Sequence, residues 1–182
     1  MGEIRPPLSV KLFIGMLSAD PSVFDACAKI LHTEYGPLDL TSGRIPWEKT
    51  DYYQDELGTG ICRQFLFFER LMDPAKLPSI KIFTNDLEKR FARGAEQDLR
   101  RRINLDPGYV TEAKVVLATT KDFAHRVYIG EGIYAEVTLR YLAKQHSFTP
   151  HEFTYPDFGT QAYLALFNKA RANLREAMHR CE

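Results

Sequence analysis

The chain has 182 residues, with 24 Lys and Arg against 24 Asp and Glu and no formal net charge. A domain of this length buries about 70% of the surface its unfolded chain exposes, so it needs no disulfide or metal staple. The charge balance argues against a generic polyanion binder, and DNA is not an expected partner.

The three cysteines, Cys27, Cys62 and Cys181, are odd in number and never spaced as Cys-x-x-Cys, which suits neither a disulfide framework nor a zinc knuckle. A reducing cytoplasm is the expected compartment. No apolar run approaches the ~20 residues that span a bilayer. The segment Met1 to Pro7 lacks the apolar stretch of a signal peptide, so no membrane partner is expected.

Val10 to Leu17 is a nearly continuous apolar run broken by Lys11 and Gly15, the pattern of a strand buried on both faces. Asp20-Pro21 then supplies an N-cap and a first-turn proline. Val23, Phe24, Cys27, Ile30, Leu31 and Tyr35 recur at helical spacing until Gly36-Pro37. Cys27 falls on that stripe and reads as core filling rather than as a nucleophile. Leu38 to Trp47, interrupted by Ser42-Gly43, and Arg63 to Met72 read as strands. Between them lies the aromatic and acidic loop Asp51-Tyr52-Tyr53-Gln54-Asp55-Glu56. Ile80, Phe83, Leu87 and Phe91 mark a second amphipathic helix closed by Arg93-Gly94, and Arg101 to Leu105 follows as a short strand.

That order is the order of a ferredoxin-like βαββαβ unit, so a single α+β domain spanning residues 1–182 is expected. It is extended by a short helix from Thr111 to about Thr119, a β-hairpin, and a C-terminal helix from about Gly159 to His179. With Gly130-Glu131-Gly132 as a three-residue loop, the hairpin sets Ile129 against Ile133, Tyr128 against Tyr134, Val127 against Ala135 and Arg126 against Glu136. One face is then apolar through Val137 and Leu139. The other carries Arg126, Tyr128, Tyr134, Glu136, Thr138 and Arg140.

Two readings of that polar face stand side by side. It is a solvated sheet face, where an exposed Arg126–Glu136 pair contributes less than about 1 kcal/mol. Alternatively, Arg126 and Arg140 grip an anion while Tyr128, Tyr134 and Glu136 position the rest of a small ligand. Asn104-Leu105-Asp106-Pro107-Gly108-Tyr109 reads either as a turn or as a strand-to-helix junction whose N–H groups face an anion. Lys114 falls in the first turn of the expected helix, where the dipole disfavours a cation. His125 is either a satisfied, partly buried histidine or a general acid or base oriented by Asp122 or Asp106. The loops around Asp51-Tyr52-Tyr53 and Thr154-Tyr155-Pro156-Asp157-Phe158 cap a core edge or wall a pocket.

The histidines are dispersed and form no metal motif. There is no phosphate loop, dinucleotide fingerprint, nucleophile elbow or Ser-x-x-Lys, and Thr120-Lys121-Asp122 lacks the spacing of a guanine-reading motif.

Ile103 to Tyr109, Ala118 to Asp122, His125 to Tyr128 and Gly132 to Leu139, with Lys11 to Leu17, Thr50 to Tyr53, Thr84 to Glu88 and Thr154 to Asp157, are long and specific strings. In them the chain resembles a bacterial family catalogued as domain of unknown function number 4416. Some members of that family carry a GTP-binding label, which the motifs of this chain do not support. The resemblance implies a relative and no mechanism.

The functional expectation is a small anionic ligand, phosphorylated or a nucleotide, with metal-independent acid/base catalysis as a further step. Arg102, Asn104, Lys121, Arg126, Tyr128, Tyr134 and Arg140 would bind it, and Asp106, His125 and Glu136 would supply the acid or base. No cofactor is assigned. The alternatives are a non-catalytic protein-interaction module and single-stranded RNA stacked on an open sheet face.

Overall fold

A computed structural model describes residues 2–47, 54–94 and 100–180. The expectations for Asp51, Tyr52, Tyr53 and Cys181 lie outside them.

The protein is α+β, and its centre is β1 (Val10–Ser18), every residue of which is buried. Antiparallel partners hold it on both sides, β4 (Cys62–Met72) and β5 (Asn104–Val110). Lys11, buried within it, donates to the Phe68 carbonyl at 2.9 Å and pairs with Asp39, which satisfies its charge. The expected four strands are part of a larger antiparallel sheet of nine among the described residues. Its order is β2 (Leu38–Thr41), β4, β1, β5, β6 (Lys114–Thr119), β8 (Ile133–Leu142) and β7 (Val127–Gly130); β3 (Ile45–Pro46) pairs with β4, and β9 (Ser147–Thr149) with β8.

Helices cover both faces of the central strands. On one side α1 (Pro21–Tyr35) and α3 (Leu77–Phe91) pack Phe24, Cys27, Leu31, Ile80 and Leu87 onto Leu12, Ile14, Met16, Leu66 and Leu105. On the other, α4 (Gln161–His179) packs Tyr163, Phe167 and Ala170 onto Phe13, Phe65, Phe67 and Leu117. The short α2 (Gln54–Leu57) sets Leu57 beside Leu17. Asp20 caps α1 by accepting the Ser22 N–H at 2.9 Å, and Pro21 follows in its first turn. Cys27 is fully buried, and burial pushes its thiol up to about 12, which suits a core residue.

Three expectations are corrected. The strand placed at Arg101 to Leu105 is β5, and it runs on through Asp106-Pro107-Gly108 to Val110, where a turn was the competing reading. Pro107 is tolerated because it precedes the first β5–β6 pair, Gly108 with Leu117, so its missing N–H falls where β6 offers no partner. The helix expected from Thr111 is the strand β6. Val115 to Ala118 are buried in succession between two strands, and that burial overrides helical propensity.

In the hairpin, Val127 faces Ala135 and Tyr128 faces Tyr134, but Gly130 rather than Ile129 faces Ile133. The loop tightens to Glu131 and Gly132, both with positive φ. The strict two-face split of β8 also fails. Val115 pairs with Leu139 while Val116 pairs with Val137, so Thr138 is an extra, bulged residue. Leu139 therefore joins the α4-side cluster, whereas Ile133 and Ala135 pack with Val116 and Ala118. Glu136 is registered with Leu117 and buried.

Gly108 is required by close approach. A Cβ there would stand 2.3 Å from the Val116 carbonyl oxygen and 2.6 Å from Phe13 Cζ. Gly108→Ala is expected to lower unfolding free energy by about 1–3 kcal/mol, the usual cost of overpacking. Urea denaturation checks this, and wild-type stability would show that β5 and β6 separate without cost.

Candidate functional site

β5 and β6 pair only where Gly108 to Val110 face Leu117 to Val115. Before Gly108, β5 stays on β1; beyond Leu117, β6 follows β8, with Ala118 on Ala135 and Thr119 on Tyr134. The sheet therefore divides into a wedge. Two turns of α3 line it, because Lys81 donates to the Leu105 carbonyl at 2.8 Å and Glu88 accepts the Leu105 N–H at 2.6 Å. The wedge holds a pocket of about 540 Å³, of a size that takes small molecules.

Carboxylates and cations share its walls. Arg63 of β4 reaches across β1 and donates to Asp106 Oδ2 at 2.9 Å and to Asp157 Oδ2 at 3.4 Å. Its passage is over Gly15, which is paired with Asp106; a Cβ on Gly15 would lie 3.1 Å from Arg63 Nη1. Asn104 Nδ2 donates to the same Asp106 oxygen at 2.8 Å, and Trp47 Nε1 to Asp157 Oδ2 at 3.3 Å. Burial pushes the Asp106 carboxyl up, but the Arg63 and Lys81 charges outweigh it and hold the group below its usual range. For Glu88 burial wins over Lys81 and the Leu105 N–H, and its carboxyl is raised.

On the opposite wall Glu136, 3% exposed, uses one oxygen for two partners. Oε2 accepts from Arg126 Nε at 2.7 Å and lies 3.0 Å from His125 Nε2. Oε1 is buried with no hydrogen-bond partner. His125 is stacked on Phe153, with ring centroids 4.5 Å apart, and its partner is Glu136 rather than Asp122 or Asp106. Arg126 also donates to the Tyr155 hydroxyl at 2.7 Å and to the Lys121 carbonyl at 3.0 Å.

The structure thus brings Asn104, Asp106, Lys121 and Glu136 together around one pocket, with His125 and Arg126 attached to Glu136. It does not bring Arg102, Tyr128, Tyr134 or Arg140 there. Tyr128 is exposed against Tyr134, and Arg140 is exposed in a register between Lys114 and Thr149. Lys114 opens a strand, so the helix-dipole argument made for it lapses. The loop with Tyr155 and Asp157 walls the pocket, whereas Arg63, Lys81, Glu88 and Arg101 are lining residues that sequence reasoning missed.

Arg102 lies in a second, more open cleft of about 600 Å³, with Arg93, Arg100, Arg101, Asp20 and Glu56. There it pairs with Asp20, and Arg101 pairs with Glu56. Arg101 lines both cavities and donates inward to Asn104 Oδ1 at 3.2 Å.

No group of three His, Cys, Asp or Glu side chains among the described residues could hold a metal ion, and none of the helices among them is long and apolar enough to cross a membrane. Fold and site together define an α+β protein with a split antiparallel sheet and a carboxylate-lined pocket at the split. The chain belongs to the family described as domain of unknown function DUF4416, whose model matches residues 8–174. No curated protein and no solved structure matches it.

Arg63→Met would leave Asp106 and Asp157 without their shared cation. Removing one partner of a buried pair costs about 3–5 kcal/mol, and the lower end applies because the Asp106 side chain is 27% exposed. Chemical denaturation measures the loss, and a variant within 1 kcal/mol of wild type, on the order of a surface pair, would show the pair to be dispensable.

Asp20 supplies a pH dependence. Its hydrogen bonds from Ser22, and then its contact with Arg102, lower its pKa from 3.8 to about 2. A depressed carboxylate contributes stability above its unfolded value and loses it as pH falls through the folded one. The stability gap between wild type and Asp20→Asn, a variant that keeps a capping side chain, is expected to be constant above roughly pH 4 and to close toward about pH 2. Urea midpoints across pH 2–7 test this.

Proposed function

We propose that the protein binds a small polar molecule in the wedge between β5 and β6, and that the ligand presents hydrogen-bond donors to Asp106 and Glu136. One observation carries the reading: Glu136 Oε1 is buried in a pocket wall without a donor. Leaving a buried acceptor unpaired costs about 1–3 kcal/mol, more for a charged group, and a ligand hydroxyl or amine relieves it. Asp106 also takes both its donors, Arg63 and Asn104, on one oxygen, Oδ2, while its side chain is partly exposed. Acid or base chemistry would fall to these two carboxylates, with His125 as a positioning residue behind Glu136.

The arginine grip expected from the hairpin is not what supports the reading. Arg126 is engaged by Glu136, and the pocket's cations Arg63, Lys81, Arg101 and Lys121 are matched by Glu88, Asp106, Glu136 and Asp157. The described residues of the wedge therefore offer no surplus cation to an anionic ligand. The interaction-module reading draws on exposed Val127 and Tyr128 at the sheet edge. The pocket carries more weight, because exposed apolar residues are common on soluble surfaces and a buried unpaired carboxylate oxygen is not. Base stacking needs an open sheet face, and the central strands have helices on both.

A thermal-shift screen of nucleosides, amines, polyols and their phosphorylated forms tests the proposal. A ligand at a hundred times its Kd stabilises by about 2.7 kcal/mol. Glu136→Gln, which replaces one acceptor oxygen with a donor, is expected to abolish the shift, while Arg140→Met, outside the pocket, leaves it unchanged. A shift that survives Glu136→Gln in full would remove the carboxylate from the site.

A further inference from the structure

We infer that the arginine cleft beside the pocket binds the phosphoryl end of the same ligand, so that the ligand is a phosphate or diphosphate ester of a donor-bearing body. The inference rests on the pocket reading for the body and on separate observations for the phosphate. Among the described residues, four guanidinium groups, those of Arg93, Arg100, Arg101 and Arg102, and two carboxylates, Asp20 and Glu56, line the cleft. The inner pocket, by contrast, has as many carboxylates as cations among its described lining residues, and one of those carboxylates, Glu136, has a buried oxygen without a donor. A phosphate meets a surplus of described guanidinium groups in the outer cleft and no such surplus in the inner pocket.

The cleft is also built rather than incidental. Arg93 and Arg100 exchange backbone hydrogen bonds of 3.0 and 2.8 Å, which fixes the origins of two of the arginines. Guanidinium is planar and offers paired donors that match phosphoryl oxygens. Asp20 and Glu56 hold Arg102 and Arg101 meanwhile, but their side chains are 37% and 45% exposed. Exposed pairs of this kind contribute little, so a divalent anion displaces them readily. Arg101 faces both cavities, and its contacts with Asn104 and Glu88 tie the outer cleft to the carboxylate wall. Arg101 is thus the residue at which one ligand would meet both cavities.

The test is isothermal titration calorimetry of the full chain with inorganic pyrophosphate at low salt. Wild type is expected to bind, Arg93→Met with Arg100→Met to bind at least tenfold more weakly, and Glu136→Gln to bind as wild type. The Glu136→Gln arm separates this proposal from the pocket reading: loss of screen hits with retained pyrophosphate binding leaves the arginine site standing alone. Far-UV circular dichroism and melting temperature check the double variant's fold. If it is unfolded, Arg93→Lys with Arg100→Lys takes its place, keeping the charge, and a several-fold loss is expected there because the planar fork is gone. Absence of binding to wild type at millimolar pyrophosphate overturns the inference, and so does unchanged affinity in the folded arginine variant.

Discussion

The candidate site exists because two side chains of α3 do the work of a missing strand. Leu105 sits in β5 where β6 has already turned away, so its backbone N–H and C=O would be buried without partners. Buried backbone groups must be paired, and Glu88 takes the N–H while Lys81 supplies the donor for the carbonyl. With both satisfied, β6 is free to follow β8. A continuous β5–β6 ladder would close the wedge; a split without Lys81 and Glu88 would leave unpaired groups in a low-dielectric interior. Pro107 reinforces the split, since it has no N–H for a neighbouring strand to accept.

That arrangement explains the charge pattern of the pocket. Lys81 and Glu88 are engaged with the backbone, which puts two opposite charges at the wedge before any ligand is considered. Arg63 then reaches Asp106 from two strands away, a path open only because β1 has Gly15 at the crossing. On the other wall the β8 bulge at Thr138 leaves Glu136 buried on the side where Arg126 and His125 meet it. The cations of the wedge are thus built into the structure, and Asp106 and Glu136 each take their side-chain partners on one oxygen, whereas Glu88 uses both.

Sequence alone exposed the parts of this that depend on local pattern. Asp20-Pro21 and the stripe from Val23 to Tyr35 gave α1, and the clustering of Asn104, Asp106, Lys121, His125 and Glu136 marked the region of the pocket. The pairing of Arg126 with Glu136 followed from hairpin spacing, although its burial did not. What stayed hidden depends on contacts distant in the chain. Asp106-Pro107-Gly108 has the residues of a turn and is held extended by β1. Val115 to Ala118 suits a short helix and is made a strand by neighbours on both sides. A signal for α3 was available: Lys81, Thr84 and Glu88 share the buried stripe with Leu77, Ile80 and Leu87, and polar residues on an apolar stripe need buried partners. Arg63 gave the same sign, because it has the parity of the buried Phe65 and Phe67.

The aromatic cluster under α4 decides how firmly the site is held. Phe65 packs against Tyr163, Phe158 and Phe167 with centroid separations of 4.9–5.8 Å, and the Arg63 guanidinium lies over the Phe65 ring at 5.8 Å. Phe158 belongs both to this cluster and to the pocket wall, next to Asp157 in the chain. Core side chains packed at crystal-like density occupy single rotamers, so the carboxylates that Arg63 joins are held in place by the core. The hairpin wall differs, since Arg126 and His125 lean on Tyr155 and Phe153, aromatics left partly exposed. Asp106 is therefore held from the aromatic core through Arg63, whereas Glu136, itself buried, is held through Arg126 and His125, whose own supports lie nearer the surface.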